Sequence, residues 1–315
     1  MRAGSLSSRS LTLQAATHGL ELATSFIESS VGEWAGWQCD FGRGGAVVPV
    51  AEKYLSETMI GYGQVPCGFE LLSTESAVDS GVDSGGLQRR FLRVLPEEGC
   101  AVSDLAAEVS TSTLAADVLC ARLCGSAELG AFALDDAPED EARPAWYLRT
   151  TFVSPPDAAT AGSSASRVRV SLRFTGQQLT EKPIRIASER RWAAAGALNA
   201  ELRNQGSGAT TVLGQWRTGL DASFVAEAVA ARCFAGSSAG SSSAAAAAAV
   251  DEEAKALELE LPPAVGVRVQ EREGGFYLDV SLGRTGSDEL VVVRRTFGAS
   301  GGLERVEVGT GATET

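Results

Sequence analysis

Arginine recurs beside aromatic residues on segments that read as strands. Arg89 and Arg93 flank Phe91 in Leu87-Gln-Arg-Arg-Phe-Leu-Arg-Val-Leu95. Arg169 and Arg173 belong to the same short stretch as Phe174, and Arg190 stands two residues before Trp192. A guanidinium presents a planar fork of donors that matches a carboxylate, and an aromatic ring covers an apolar ligand body. Phe91, Arg93, Phe174, Arg190 and Trp192, joined by Trp37 and Phe41 from an earlier strand, are therefore the candidate ligand-binding set. A tetrapyrrole or a fatty-acid-like molecule has the required mix of charge and oil. The alternative is that these arginines face solvent and pair with the abundant Asp and Glu. For Arg169 and Arg173 the residue pattern favours that alternative, because their apolar neighbours point the other way.

Other chemistries find less support. Nucleophilic catalysis needs a base near a Ser or Cys, and His18 is the only histidine. No Gly-x-x-x-x-Gly-Lys-Ser/Thr loop is present, and neither Gly32-x-x-x-Gly36 nor Gly42, Gly44 and Gly45 sits between a strand and a helix as dinucleotide binding requires. The acidic cluster Asp135, Asp136, Glu139, Asp140 and Glu141 reads as a solvated loop. Six cysteines (Cys39, Cys67, Cys100, Cys120, Cys124 and Cys233) are scattered through a long chain and read as free thiols. Cys120 and Cys124 would share a helix face, but no second pair has zinc-ligand spacing. No catalytic residue, metal ligand or cofactor is assigned.

The elements that must position the arginines are strands. Two Gly-x-Trp starts, in Val31-Gly-Glu-Trp34 and Leu213-Gly-Gln-Trp216, each open a segment resembling a β meander. Such glycines let a chain pass close to its neighbour, and the Trp plugs a barrel end. Trp37 lies on the opposite strand face from Trp34. Strands are expected over 34–41, 69–74, 87–95, 129–134, 146–153 and 167–175, with 184–192 pairing back on the last. Residues 101–124 fit either a helix or a strand edge. The period of two is cleanest in Val168, Val170, Leu172 and Phe174 against Arg167, Arg169, Ser171 and Arg173. It returns near the carboxy terminus in Val265, Val267, Val269 and again in Phe276, Leu278, Val280, Leu282, with turns at Gly274-Gly275, 283–288 and 298–302. Residues 251–259 read as a short acidic helix. Leu13, Ala16, Leu20, Ala23 and Ile27 give an amphipathic helix closing one end of the first barrel.

The fold expected is all-β: two tandem antiparallel barrels, the second reduced, with an amino-terminal helix. Residues 1–30 form a transit-like segment and helix, 31–205 the first barrel, and 206–315 the second, interrupted by a low-complexity insertion at 233–249. Residues 154–166 and 204–211 are also low in complexity. With 315 residues, of which 44% are hydrophobic, the chain can build two cores. A net charge of −13 argues against nucleic-acid binding, which needs a basic footprint. No apolar run is long enough to span a bilayer. Arg2, Arg9 and five hydroxyl residues by position 12, without an acid before Glu21, have transit-peptide composition.

Val31-Gly-Glu-Trp…Phe41, Tyr62-Gly-Gln, Arg93-Val-Leu-Pro-Glu-Glu-Gly-Cys100, Ile184-Arg-Ile…Glu189…Trp192 and Leu261-Pro…Gly275…Val293-Arg-Arg…Gly302-Leu-Glu-Arg-Val306 resemble an uncharacterised plastid and cyanobacterial family with calycin-like, lipocalin-like barrels. The resemblance implies a chloroplast (stromal) location. Glu189-Arg-Arg-Trp-Ala-Ala194…Leu198 is more distantly similar to a stretch of the bilin lyases, single lipocalin-like barrels that attach linear tetrapyrroles to proteins. Ala193 stands here for the lyases' Phe, and Gly196-Ala197 for their Pro-Asn. The function expected is non-catalytic binding of a small amphipathic ligand, tetrapyrrole or lipid-like, in a barrel lumen. The alternatives are a tetrapyrrole lyase or isomerase, and a ligand-free scaffold or assembly factor.

Overall fold

The computed structural model describes residues 7–55, 57–61, 65–66, 68–78, 86–94, 108–136, 145–154, 165–175, 178–179, 182–191, 256–261, 264–283 and 289–312. The second Gly-x-Trp start, Trp192, the insertion at 233–249, most of 154–166 and all of 204–211 lie outside them.

The elements run α1 (Ser7–Ser30), β1 (Gly32–Phe41), β2 (Val47–Val48), a 3-10 turn (Glu52–Tyr54), α2 (Glu57–Gly61), β3 (Gly68–Val78), β4 (Gly86–Val94) and β5 (Glu108–Ala115). Then follow α3 (Ala116–Arg122), β6 (Leu123–Ser126), β7 (Ala131–Asp136), β8 (Ala145–Ser154), β9 (Ser166–Thr175), β10 (Gln178–Leu179) and β11 (Ile184–Arg191). A carboxy-terminal set comprises β12 (Ala256–Leu261), β13 (Val265–Arg272), β14 (Gly275–Gly283), β15 (Glu289–Gly298) and β16 (Leu303–Ala312). The protein is all-β with few helices.

The first sheet is antiparallel, in the order β5-β4-β3-β1-β11-β9-β8-β7-β6, with β2 added on β1 and β10 on β9. Around the sheet each long strand follows its neighbour in the chain, and the last, β11, pairs back with the first, β1. The ring is interrupted between β5 and β6, where α3 crosses. The result is a curled sheet with an inner and an outer face. Residues 101–124, ambiguous in the sequence, resolve in their described part into a strand, a short helix and a strand.

Helix α1 closes one end. Leu22, Ala23 and Phe26 pack with Leu87, Leu114, Leu119, Leu123, Phe132 and Leu134, and the Phe26 and Phe132 rings are 5.2 Å apart. Leu20, expected on that stripe, is 58% exposed and belongs to the solvent face. No described helix is long and apolar enough to cross a membrane.

The carboxy-terminal strands form a five-stranded meander, β12-β13-β14-β15-β16. Residues 256–261 are a strand rather than part of an acidic helix: Leu257, Leu259 and Leu261 alternate with Glu258 and Glu260, and period two wins once β13 is there to pair with. The meander does not enclose a core of its own. Its apolar face lies against the outer face of the curled sheet, and one cluster joins Trp37, Phe41, Ile186 and Leu172 to Val267, Leu278 and Val293. At its centre the rings of Phe174 and Phe276 lie 4.8 Å apart, and those of Phe276 and Phe297 stack at 4.7 Å. Each fully buried ring of this kind contributes roughly 1.5–3 kcal/mol relative to exposure. Trp146 Nε1 donates to Gly301 O across the same seam at 2.9 Å.

Glycine governs how closely β1 and β11 approach. Gly32, the first residue of β1, has φ +140°, a region that L side chains avoid. A Cβ on Gly36 would stand 1.9 Å from Ser188 O and 2.7 Å from Glu189 Cα. Gly36→Ala must therefore push β11 away at the residue that anchors the inner face. We expect it to cost roughly 1–3 kcal/mol, as overpacking does. A urea midpoint equal to that of the unmodified chain would show that the two strands can part without penalty.

Candidate functional site

The outer face of β9 is buried at Val168, Val170, Leu172 and Phe174, and its inner face is buried at Arg167 and opens to solvent toward Arg173. Val168, Val170, Leu172 and Phe174 face outward into the seam beneath the meander. Arg167, Arg169, Ser171 and Arg173 face inward. Register then assembles a charged cluster, because β11 sets Glu189 opposite Arg167 and β1 sets Trp34 opposite Ser73 of β3. Arg167 donates from Nε to Glu189 Oε2 at 2.9 Å, and from Nη2 to Glu189 Oε1 at 3.0 Å and to Ser73 Oγ at 2.8 Å. Ser73 Oγ donates to Glu189 Oε1 at 2.7 Å, and Arg169 Nε to Glu189 Oε2 at 2.7 Å. Arg89 Nε donates to Glu75 Oε2 at 3.0 Å. Arg167 Nη1 and Glu75 Oε1 are 2.8 Å apart, but neither atom has an aligned hydrogen-bond partner, so this is an ion contact. The Arg167 guanidinium lies over the Trp34 ring at 4.2 Å, and Arg169 over Phe91 at 4.7 Å. Trp34 Nε1 donates to Ser30 O at 2.8 Å, tying the cluster to the end of α1.

The charges are strongly coupled. Burial alone would push the Glu189 carboxyl up; Arg167 first, then Arg169 and the hydrogen bonds from Arg167 and Ser73, override it and hold the pKa at about 2. Glu75 is also held below its usual range, with Arg167 and Arg89 outweighing its burial. Arg167 is raised, because its two glutamates outweigh burial. Arg89 goes the other way: burial lowers it to about 10, and Glu75 only partly offsets this.

Beside the cluster the curled sheet forms a partly open cavity of about 190 Å³. Its wall carries five arginines (Arg89, Arg93, Arg149, Arg169 and Arg185) and the rings of Phe26, Phe91, Phe132 and Tyr147. Leu71, Leu134 and Ala187 add apolar surface, and Gln38, Ser112 and Thr151 add uncharged polar groups. No Asp or Glu among the described residues lines it. Arg185 is paired outside the wall with Asp40 at 2.8 Å, and Arg149 with Asp136 at 2.8 Å.

The residues expected to bind ligand divide between the two faces. Phe91 and Arg93 line the cavity, with Arg93 also over the Phe69 ring at 5.6 Å. Trp37, Phe41 and Phe174 do not; they are buried in the seam between the sheets, where the meander supplies the apolar cover that a barrel interior was expected to need. Trp34 and Trp37 do fall on opposite strand faces. Arg190 is half-buried on the outer side of β11, in alternation with Ile186 and Ser188. Arg173 is exposed at the inner rim, 5.6 Å from the Tyr147 ring. Of the two arginines expected to favour solvent, Arg173 is exposed, whereas Arg169 is held inside by Glu189. Arg149 and Arg185 were not singled out in the sequence. Their signal was the inward position of each on a strand whose next inward residue is small or polar, Thr151 and Ala187.

Among the described residues no group of three or more His, Cys, Asp or Glu is placed to hold a metal ion. Cys39, Cys120 and Cys124 are free thiols, and burial followed by Asp135 pushes the Cys124 pKa up. Neither the protein-family models nor the curated proteins include a match to this chain.

Proposed function

We propose that this protein binds a small amphipathic molecule with an anionic end in the hollow of the curled sheet, without turning it over. One observation carries the reading: in a chain of net charge −13, the hollow is walled, among the described residues, by five arginines and four aromatic rings and by no carboxylate. Such a wall attracts an anion and covers an apolar body, and a concave setting strengthens both interactions. The lining supplies charge and apolar area rather than a proton acceptor, which favours holding over chemistry. The volume is below the roughly 300 Å³ at which drug-sized ligand sites begin. It therefore favours a short lipid-like or single-ring acid over a whole linear tetrapyrrole.

The resemblance drawn from the sequence supports the rest of the reading. We propose that the curled sheet, with its first and last strands paired and a helix at one end, is a calycin-like barrel opened at one seam. The meander would be its reduced tandem partner, and the location the chloroplast stroma. The lyase alternative gains nothing from the fold: Glu189, which carries that similarity, is consumed by the buried ion cluster, and Arg190 points to the outer face.

Native mass spectrometry of protein isolated from its source organism tests the proposal. A bound mass of a few hundred daltons, lost on denaturation, is expected. A spectrum showing the bare chain alone would remove the ligand.

A further inference from the structure

Among the described residues the inner cluster's charge is unbalanced by one. Arg89, Arg167 and Arg169 face Glu75 and Glu189, so the inner cluster holds three guanidiniums against two carboxylates. The imbalance has a location. Arg89 Nε is taken by Glu75, but its Nη2 is buried and donates to no acceptor among the described residues. Arg89 is 7% exposed and forms part of the cavity wall. Arg149, another residue of the wall, likewise has a buried Nε without a hydrogen-bond partner among the described residues. Leaving a buried charged donor unmatched costs more than an ordinary lost hydrogen bond. Around this corner stand rings, with the Arg89 guanidinium 5.4 Å from the Phe26 centroid and Phe91 and Phe132 lining the same hollow.

We infer that the hollow is a monocarboxylate site in which the Arg89 guanidinium supplies the unmatched positive charge and Phe26, Phe91 and Phe132 enclose an aromatic or short apolar body. This deepens the proposed function and rests on it. A single negative charge completes the cluster; a phosphate dianion would overshoot it and leave the rings uncovered. Arg149, Arg169 and Arg185 pair with Asp136, Glu189 and Asp40; Arg89 shares Glu75 with Arg167, which leaves the excess charge on the Arg89 side of the cluster.

Isothermal titration of the full chain with 3-phenylpropanoate, 3-phenylpropanamide, hexanoate and inorganic phosphate tests this. The aromatic acid should bind at least about tenfold more tightly than its amide, as a charge-assisted hydrogen bond requires. Phosphate should neither bind nor compete. Arg89→Lys keeps the charge but loses the fork; it should weaken the acid about tenfold and leave the amide unchanged. The acid–amide comparison in the unmodified chain decides the matter even if Arg89→Lys does not fold. Equal affinity for acid and amide would overturn the carboxylate assignment while leaving a binding hollow. Phosphate binding as tight as the acid would overturn it in favour of a general oxyanion site. No heat from any probe would also overturn it, and a bound mass in the native spectrum would then still sustain the broader reading.

Discussion

Replacing Arg167 with methionine should destabilise the curled sheet by about 3–5 kcal/mol at neutral pH, the usual consequence of removing one partner from a buried ion pair. Arg167 is the hub of the inner cluster: it touches both glutamates, Ser73 and the face of Trp34. Methionine keeps the apolar stem over the indole and removes only the charge, so packing loss stays small. The pH dependence identifies the cause. Glu189 is lowered from 4.5 to about 2 in the folded chain. A depressed carboxylate contributes stability that is fully present above its unfolded value and is lost as pH falls through the folded one. For the unmodified chain that contribution is about 3 kcal/mol, lost between roughly pH 4.5 and pH 2. Without Arg167, burial dominates and Glu189 accepts its proton readily. The stability difference between the two chains should therefore shrink as pH drops below about 4.5. Urea titrations at pH 7 and pH 3 measure it. A difference of the same size at both pH values would mean that Arg167 acts through packing, and the electrostatic account of the cluster would fail.

Strand positions were legible where one face is apolar and the other polar, as in β9 and β13 to β15, because a period of two survives any tertiary arrangement. Which face is inside was not. Alternation in β9 separates valine from arginine, and the ordinary inference sends arginine to water. That inference fails here because a second sheet covers the valine face, and the arginines are matched by glutamates from β3 and β11. Those partners are distant in the chain, and only register brings them together. The same blindness put Phe174 and Trp37 in the ligand set: they are as apolar as a lumen wall requires, and the seam uses them first. Phe91 and Arg93 line the cavity because the arginine–aromatic face of β4 is the inner one. Residues 256–261 were misread for a different reason. Acidic content outweighed a three-leucine alternation too short to stand out without its partner strand.

The seam itself contains one buried charge pair, and breaking it should have an effect as large as that of Arg167. Arg295 stands on the apolar face of β15, fully buried between Val293 and Phe297. Its Nε and Nη2 grip Asp135 of β7 in a bidentate pair at 2.8 Å each, Nη1 donates to Thr150 Oγ1 at 3.0 Å, and Nη2 also reaches Arg149 O at 3.1 Å. Every nitrogen of the guanidinium is satisfied, so the pair holds the meander in one position against the outer face. Arg295→Met leaves Asp135 buried and unmatched, and should cost about 3–5 kcal/mol. Adding Asp135→Leu removes the stranded carboxylate and fills its space with apolar surface. The double variant should recover most of that loss, because a buried ion pair stabilises little relative to a well-packed apolar replacement. Denaturant midpoints of the two single variants, the double variant and the unmodified chain close the cycle. If the double variant is no more stable than Arg295→Met, the cost lies in lost contacts to Thr150 and the β8 backbone rather than in an unpaired charge. The meander would then be held by hydrogen bonds that no apolar side chain can replace.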